Sequence, residues 1–328
     1  MVKHSPDPDR PEARPASPEG AYHLPVLLDE VLELLAPAAH GEVMDGTVGG
    51  GGHARALLER YPECRLLAVD RDPEALERAR RELAPFGDRV RFVQARFDEA
   101  AEGAAIAGST LSGALLDLGI SSRQIDRPER GFTFQAEDAP LDMRMGGKEG
   151  PGPTAAAILN QGDEDELLRI FREYGEEPRA RRLVREVLRR REEEPFRTAT
   201  DLVEAVARVF GHPPAPGDKA RIFQALRIAV NQELDSLDRG LPLIRDALLP
   251  GGVMVVISYH SLEDRRVKNA FREWSRDCVC PPKLPICTCR GRRLGDLLTR
   301  KPIRPGDDEV RTNPRSRSAR LRAWRKAA

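Results

Sequence analysis

From Gly41 onward the chain falls into short apolar runs, at 42–45, 65–70, 90–95 and 114–117, most closing on an aspartate and each followed by a helical stretch. Strands alternating with helices imply a parallel sheet covered on both faces, in which ligands bind beyond the carboxyl ends of the strands. After Gln124 the rhythm stops. Through about Leu234 the apolar spacing is helical, as in Leu167, Leu168, Ile170, Phe171 and in Leu183, Val184, Val187, Leu188. Strand pattern resumes after Gly251 and Gly252 with 253–258, so the helical block reads as an insertion into one α/β unit. A helix carrying Glu263, Arg266 and Phe271 follows, and two weaker candidates, 298–303 and 319–324, would complete a seven-stranded sheet. The pattern divides the chain into a discontinuous domain, 21–124 with 235–328, and an inserted helical domain, 125–234.

Composition narrows the class. At 328 residues the chain suits about two domains, or one large domain with an insertion. Hydrophobic residues at 40 % and charged residues at 32 % exclude a membrane protein, a collagen-like chain and a wholly disordered one. No run approaches the roughly 18 apolar residues of a membrane span. Residues 1–20 set Pro6, Pro8, Pro11, Pro15 and Pro18 among charges and read as a disordered tail, so the cytoplasm is the expected location. Lys plus Arg equals Asp plus Glu at 53 each, but from Arg290 to Ala328 there are 13 basic residues and 4 acidic. A local cation of that kind suits a nucleic-acid partner, and a solubilising tail fits equally well.

The first strand runs into Asp45-Gly46-Thr47-Val48-Gly49-Gly50-Gly51-Gly52-His53 ahead of a helix. Glycines let a ligand approach the backbone at a helix N-terminus, as nucleotide-like cofactors require. Gly49, Gly51 and Ala54 fit the dinucleotide pattern as well, so the loop alone does not separate NAD from S-adenosylmethionine. Asp70 closes the second strand where it can accept from two ribose hydroxyls. Asp72 and Pro73 read as an N-cap and first helical residue. Asp45 favours methyl transfer, because a carboxylate there repels a pyrophosphate and suits the ammonium of an amino-acid-bearing cofactor; a turn-capping role is its plain alternative. His53 on its own reads as a first-turn helix residue.

The fourth strand ends in Leu116-Asp117-Leu118-Gly119-Ile120-Ser121-Ser122, which brings Asp117 to the reacting end of the cofactor. Methylating an exocyclic amine calls for acceptors on its N–H groups and exclusion of water, with no covalent nucleophile. Asp117 is the leading functional carboxylate, while Ser121 and Ser122 suit a helix cap as well as a substrate contact. No cysteine stands near a strand end, which disfavours cysteine-first methylation of a pyrimidine carbon. Cys64 reads as packed beside the second strand. Ser258-Tyr259-His260-Ser261 lacks a nucleophile elbow, and Ser261 with Asp264 reads as a helix start.

Several segments together resemble one family: His23 to Glu30, Asp45 to His53, Leu116 to Ser122, Asp126 with Glu129-Arg130-Gly131-Phe132, Pro140 to Met145, Ser258 to Arg265 and Asn313 to Ala319. This looks like the bacterial 16S ribosomal RNA cytosine-N4 methyltransferase family, over essentially residues 21–325. The resemblance implies a class I S-adenosylmethionine-dependent methyltransferase fold, Rossmann-like with a seven-stranded mostly parallel sheet and an inserted all-helical domain. It implies N4-methylation of a decoding-centre cytidine, with 16S rRNA or the small subunit as partner, a homodimer as a further expectation, and no membrane. Carried over by position, cofactor contacts fall on Gly51, Gly52, His53, Asp70, Phe97, Asp117 and Gln124. Phe97 fits adenine stacking, with a core aromatic as its alternative. Pro140 to Met145 is either an RNA-side wall or a packed loop.

Two features stand outside that pattern: the proline-rich N-terminus, and Cys278-x-Cys280 followed by Cys287-x-Cys289. The four cysteines suit a tetrahedral zinc site, although the spacing is tighter than a C-x-x-C knuckle; reduced or redox-sensitive thiols are the alternative. The methyl transfer itself needs no metal. A non-catalytic RNA-binding assembly factor is the rival reading, and an NAD-dependent oxidoreductase a weaker one, disfavoured by Asp45.

Overall fold

The computed structural model describes residues 25–103, 111–136, 138–280, 286 and 288–328; the proline-rich stretch 1–20, His23, Leu24 and Cys287 lie outside them. In chain order the elements are α1 (Leu28–Leu35), β1 (Glu42–Asp45), α2 (Gly52–Arg60), β2 (Arg65–Asp70), α3 (Pro73–Glu82), β3 (Val90–Gln94), α4 (Phe97–Glu102), β4 (Leu111–Asp117) and α5 (Ser122–Asp126). Helices α6 (Ala155–Gln161), α7 (Glu164–Arg169), α8 (Ala180–Glu193), α9 (Ala199–Phe210), α10 (Pro216–Asn231) and α11 (Glu233–Ala247) follow. The chain closes with β5 (Leu248–Ser258), α12 (Ser261–Trp274), β6 (Gly295–Leu297), α13 (Asp307–Thr312) and β7 (Arg320–Lys326).

The strands form one seven-stranded sheet in the order β3-β2-β1-β4-β5-β7-β6, with β7 antiparallel to both neighbours and the other pairs parallel. Side chains alternate across it, as strand geometry requires. Val43, Leu66, Ala68, Leu115 and Val255 face Leu35, Leu57 and Leu76 on α1, α2 and α3. Met44, Leu67, Leu116, Met254 and Val256 face Leu241 on α11 and Phe271 on α12. Both faces are apolar, so these strands read as near-continuous hydrophobic runs, the mark of a doubly covered parallel sheet. Helices α6 to α10 pack on a separate apolar cluster that includes Leu159, Phe171, Leu183, Leu202 and Leu226.

Near the C-terminus the structure corrects one strand. The sixth strand is Gly295–Leu297, not 298–303. The amides of Leu298 and Thr299 both donate to the Ala323 carbonyl, at 3.0 and 3.4 Å, so the ladder ends there; only Ile303 returns, as a single bridge to Leu321. Gly295 is sterically required, because a Cβ would lie 2.1 Å from the Arg325 carbonyl and 2.3 Å from the Trp324 indole. The end of the basic C-terminal segment is therefore part of the sheet. Its β7 lies between β5 and β6 with Leu321, Ala323 and Trp324 buried, and the Trp324 ring meets Trp274 edge-on at 5.2 Å.

Candidate active site

Strand order reverses between β1 and β4, and the carboxyl ends of β1, β2 and β4 open there into a cavity of about 490 Å³. Of the residues expected at the cofactor, Gly52, His53, Asp70, Phe97, Asp117 and Gln124 line this cavity together. Gly49 and Gly51 have φ of 52° and 90°, the left-handed conformations that turn the loop back into α2. Gly51 itself is the N-cap of α2 and lies behind the lining, against Leu83 and Ala79, so it shapes the loop and does not border the cavity.

Asp70 is held from both sides. Gly49 N–H donates to its Oδ2 and Asp72 N–H to its Oδ1, each at 2.8 Å, which fixes the carboxylate at the cavity edge with a lone pair remaining on each oxygen. Burial pushes its pKa up to about 6 against those two backbone donors. Asp72 caps α3 by accepting from Glu74 N–H at 3.1 Å, with Pro73 first in the helix, and its Oδ2 also accepts from Gln124 Nε2 and Arg130 Nη2, each at 3.0 Å.

Asp117 sits at the tip of β4. Its Oδ1 accepts from the Tyr259 hydroxyl at 2.8 Å, and its Oδ2 lies 3.8 Å from His53 Nδ1. His53 Nε2 donates to the Val26 carbonyl at 2.9 Å, which turns Nδ1 toward Asp117. Burial raises the Asp117 pKa above the ordinary carboxylate range, opposed by His53 and by the Tyr259 hydrogen bond. Burial and the adjacent Asp117 push the Tyr259 hydroxyl well above its usual value, so it remains a donor. The Asp117 amide donates to Thr47 Oγ1 at 2.7 Å, tying the strand tip to the glycine loop.

Asp45 is the correction at this site. It does not line the main cavity; it occupies an apolar pocket between α1, α2 and the sheet, with Val31, Leu35 and Leu57. Alternation explains this: Asp45 shares the face of Val43, one residue short of where the strand opens into the loop. It accepts from Thr47 N–H at 3.1 Å, and burial pushes its pKa up to about 8. Asp45 thus supports the loop from beneath, outside the cavity, and the argument it carried against a pyrophosphate cofactor falls away. Asp117 and Asp70, unlike Asp45, do line the cavity.

Gln124 borders the cavity, but its side chain is committed: Oε1 accepts from Ser121 N–H at 3.0 Å and Nε2 donates to Asp72. Ser121 is the N-cap of α5. Phe97, the first residue of α4, borders the cavity while one ring edge packs where Gly240 of α11 has no side chain. The segment Pro140 to Met145 is mainly a packed loop, with Leu141 and Met143 buried, while Met145 reaches the cavity wall. Asn231 stitches it in place, donating to the Met143 carbonyl at 2.7 Å and accepting from Met145 N–H at 2.8 Å. Cys64 is buried as expected, and its thiol is pushed up to about 11 by that burial.

Sequence reasoning gave no role to Tyr259, Thr47, Asn231 or Arg130. For Tyr259 a signal existed. Asp117 pairs with Ile257 in the parallel β4–β5 register, so the residue two beyond Ile257 must stand beside the tip of β4. Beyond it, His260 caps α12, with Glu263 accepting from Tyr259 N–H at 2.9 Å. Burial opposes ionisation of Glu263, but His260 and Arg227 outweigh it and hold the carboxyl below its usual range.

Six strands running one way, one reversed near the edge, and a carboxylate-edged cavity over the switch point are the arrangement of a class I S-adenosylmethionine-dependent methyltransferase, and this protein is one. A family model described as MraW methylase matches residues 20–327. The chain belongs to the MraW methylase family. A protein named ribosomal RNA small subunit methyltransferase H from Gemmatimonas aurantiaca is 52 % identical over 315 residues, covering 95 % of this chain and 98 % of that one. The protein of that name from Syntrophotalea carbinolica is 50 % identical over 309 residues, covering 93 % and 98 %. The residues present fit the cofactor: the Asp70 carboxylate for hydroxyl groups, and the Phe97 ring for a base. Among the described residues no helix is long and apolar enough to cross a membrane.

Proposed function

We propose that this methylase transfers a methyl group from S-adenosylmethionine to the exocyclic N4 amine of a cytidine in 16S rRNA, at cytosine 1402. The observation that carries the reading is Asp117 at the tip of β4, one oxygen fixed by Tyr259 and the carboxylate open to the cavity. The bound cofactor supplies an electrophilic methyl carbon attached to a positively charged sulfur. A cytosine amine is a weak nucleophile because its lone pair is delocalised into the ring. Asp117 accepts one of its N–H groups, which orients the nitrogen and favours the positive charge that grows on it as the C–N bond forms and the S–C bond breaks. Burial, which raises the Asp117 pKa, makes the carboxylate a better acceptor for the proton the amine then loses.

The remaining roles divide by place. Gly52 and His53 bound the cofactor beside the loop that Gly51 shapes. Asp70 accepts from ribose hydroxyls, Phe97 stacks on adenine, and Gln124 with Asp72 and Arg130 holds the far wall. The helical block 125–234 forms the RNA side, joined by the exposed Arg300, Lys301, Arg304 and Arg317 of the C-terminal segment. The target cytosine leaves its stack to reach the cavity. The 16S rRNA, free or within the small subunit, is the partner, and the cytoplasm the place. Mapping of modified nucleosides in small-subunit RNA from cells with and without the gene tests this reading. It predicts loss of N4-methylation at one cytidine, and an unchanged modification map contradicts it.

A further inference from the structure

The described ends of the connection between α12 and β6 meet where Leu294 N–H donates to the Trp274 carbonyl at 2.7 Å. Arg290 closes the same neck, its guanidinium bonding Glu273 Oε1 at 2.6 Å and the Glu273 carbonyl at 2.5 Å. Little apolar packing holds the excursion beyond that neck: Ile286, its one large aliphatic side chain among the described residues between Val279 and Arg293, is 75 % exposed. Yet three cysteines converge there. The Sγ atoms of Cys278, Cys280 and Cys289 all lie within 4.8 Å of one another, and those of Cys278 and Cys289 are 3.9 Å apart. A disulfide requires about 2.05 Å. Thiolates bound to one tetrahedral zinc at about 2.3 Å stand about 3.8 Å apart, close to the observed spacing. A backbone donor is also in place, since Val279 N–H points at Cys289 Sγ at 3.4 Å, the kind of outer hydrogen bond that steadies a metal-bound ligand.

We infer that Cys278, Cys280 and Cys289 bind a structural zinc ion that staples this loop. None of the three borders the methyl-transfer cavity, so the ion has no part in the chemistry there. Binding forms three Zn–S bonds with a water molecule as the fourth ligand, and each thiol gives its proton to solvent, with no change of oxidation state. The ion supplies, where the described residues form no apolar core, the cohesion that hydrophobic burial supplies elsewhere. Cys287 lies outside the described residues and is not part of the proposed set.

The test uses the full chain purified without chelator and assayed for metal by mass spectrometry. About one zinc per chain is expected, falling at least tenfold in Cys278→Ser and in Cys289→Ser but retained in Cys64→Ala. Because a variant can misfold, the unaltered protein is also stripped of metal and titrated with cobalt(II), which should produce a thiolate-to-cobalt charge-transfer band and the strong visible bands of tetrahedral cobalt. A chain that carries no zinc and shows no thiolate–cobalt band overturns the inference. So does zinc that both serine variants retain, and so does a Cys278–Cys289 disulfide in metal-free protein kept under reducing conditions.

Discussion

The Tyr259 hydroxyl donates to Asp117 Oδ1 at 2.8 Å, joining the tips of two adjacent parallel strands. The hydrogen bond favours the ionised carboxylate, and burial favours the neutral acid. Removing the donor lets burial win by more. The variant Tyr259→Phe should therefore shift the acid limb of the methylation pH–rate profile upward by about 1 to 2 pH units, the equivalent of a charge-assisted hydrogen bond. Single-turnover rates across the pH range check this. An acid limb that does not move separates Tyr259 from the ionisation that governs turnover.

Asp45 carries a second pH signature, of stability and not of catalysis. Its folded pKa of about 8 lies above the unfolded value of about 3.9. The folded state thus holds a proton that the unfolded state gives up. Stability linked to this group is fully present below the unfolded pKa and is lost as pH rises through the folded one. The variant Asp45→Asn keeps the shape without the proton, so its melting temperature relative to the parent should rise progressively between about pH 4 and pH 8 and level off above. Calorimetric scans at several pH values measure it, and a constant difference would mean that Asp45 is ionised in the fold.

The C-terminal segment separates two roles that composition merges. Arg322 is buried and paired with Asp264, its Nε 2.6 Å from Oδ1, so this basic residue belongs to the sheet. Arg300, Lys301, Arg304 and Arg317 are exposed. Replacing those four with alanine should leave the melting temperature within a few degrees and lower the slope of log affinity against log salt for RNA by about 2 to 4. Truncation after Arg300, by contrast, removes β7 and should unfold the protein. An unchanged salt slope in the fourfold variant would return those residues to a solubilising role.

Much of this architecture is legible in the sequence because two periodicities meet at clear borders. Runs such as Arg65–Asp70 and the spacing of Leu183, Val184 and Val187 each admit one reading. The sixth strand was misplaced because Gly295–Leu297 has no apolar alternation to announce it; its position is set by β7 and by the space a glycine leaves beside Trp324. The errors in the site have the same origin. Asp45 adjoins the glycine loop in sequence, and alternation turns it to the other side. Asp117 was legible from its strand tip, whereas its partner Tyr259 depends on register between strands 142 residues apart in the chain. Gln124 is placed at the cavity by resemblance; its bond to Ser121 is a capping box that the Ser-x-x-Gln spacing encodes, whereas its bond to Asp72 is a tertiary fact that local spacing does not.

The central claim is that Asp70 serves cofactor binding while Asp117 serves the amine, and one paired measurement separates them. Asp70→Ala and Asp117→Ala are titrated with S-adenosylmethionine by calorimetry, and nucleosides are analysed by mass spectrometry after incubation with small-subunit RNA and the methyl donor. Asp70→Ala should lose donor affinity, while Asp117→Ala should bind the donor within a few fold of the parent yet form N4-methylcytidine at least 100-fold more slowly, in the range for a missing acid–base group. Parental turnover in Asp117→Ala, or a methyl group found elsewhere than on N4, would contradict the account.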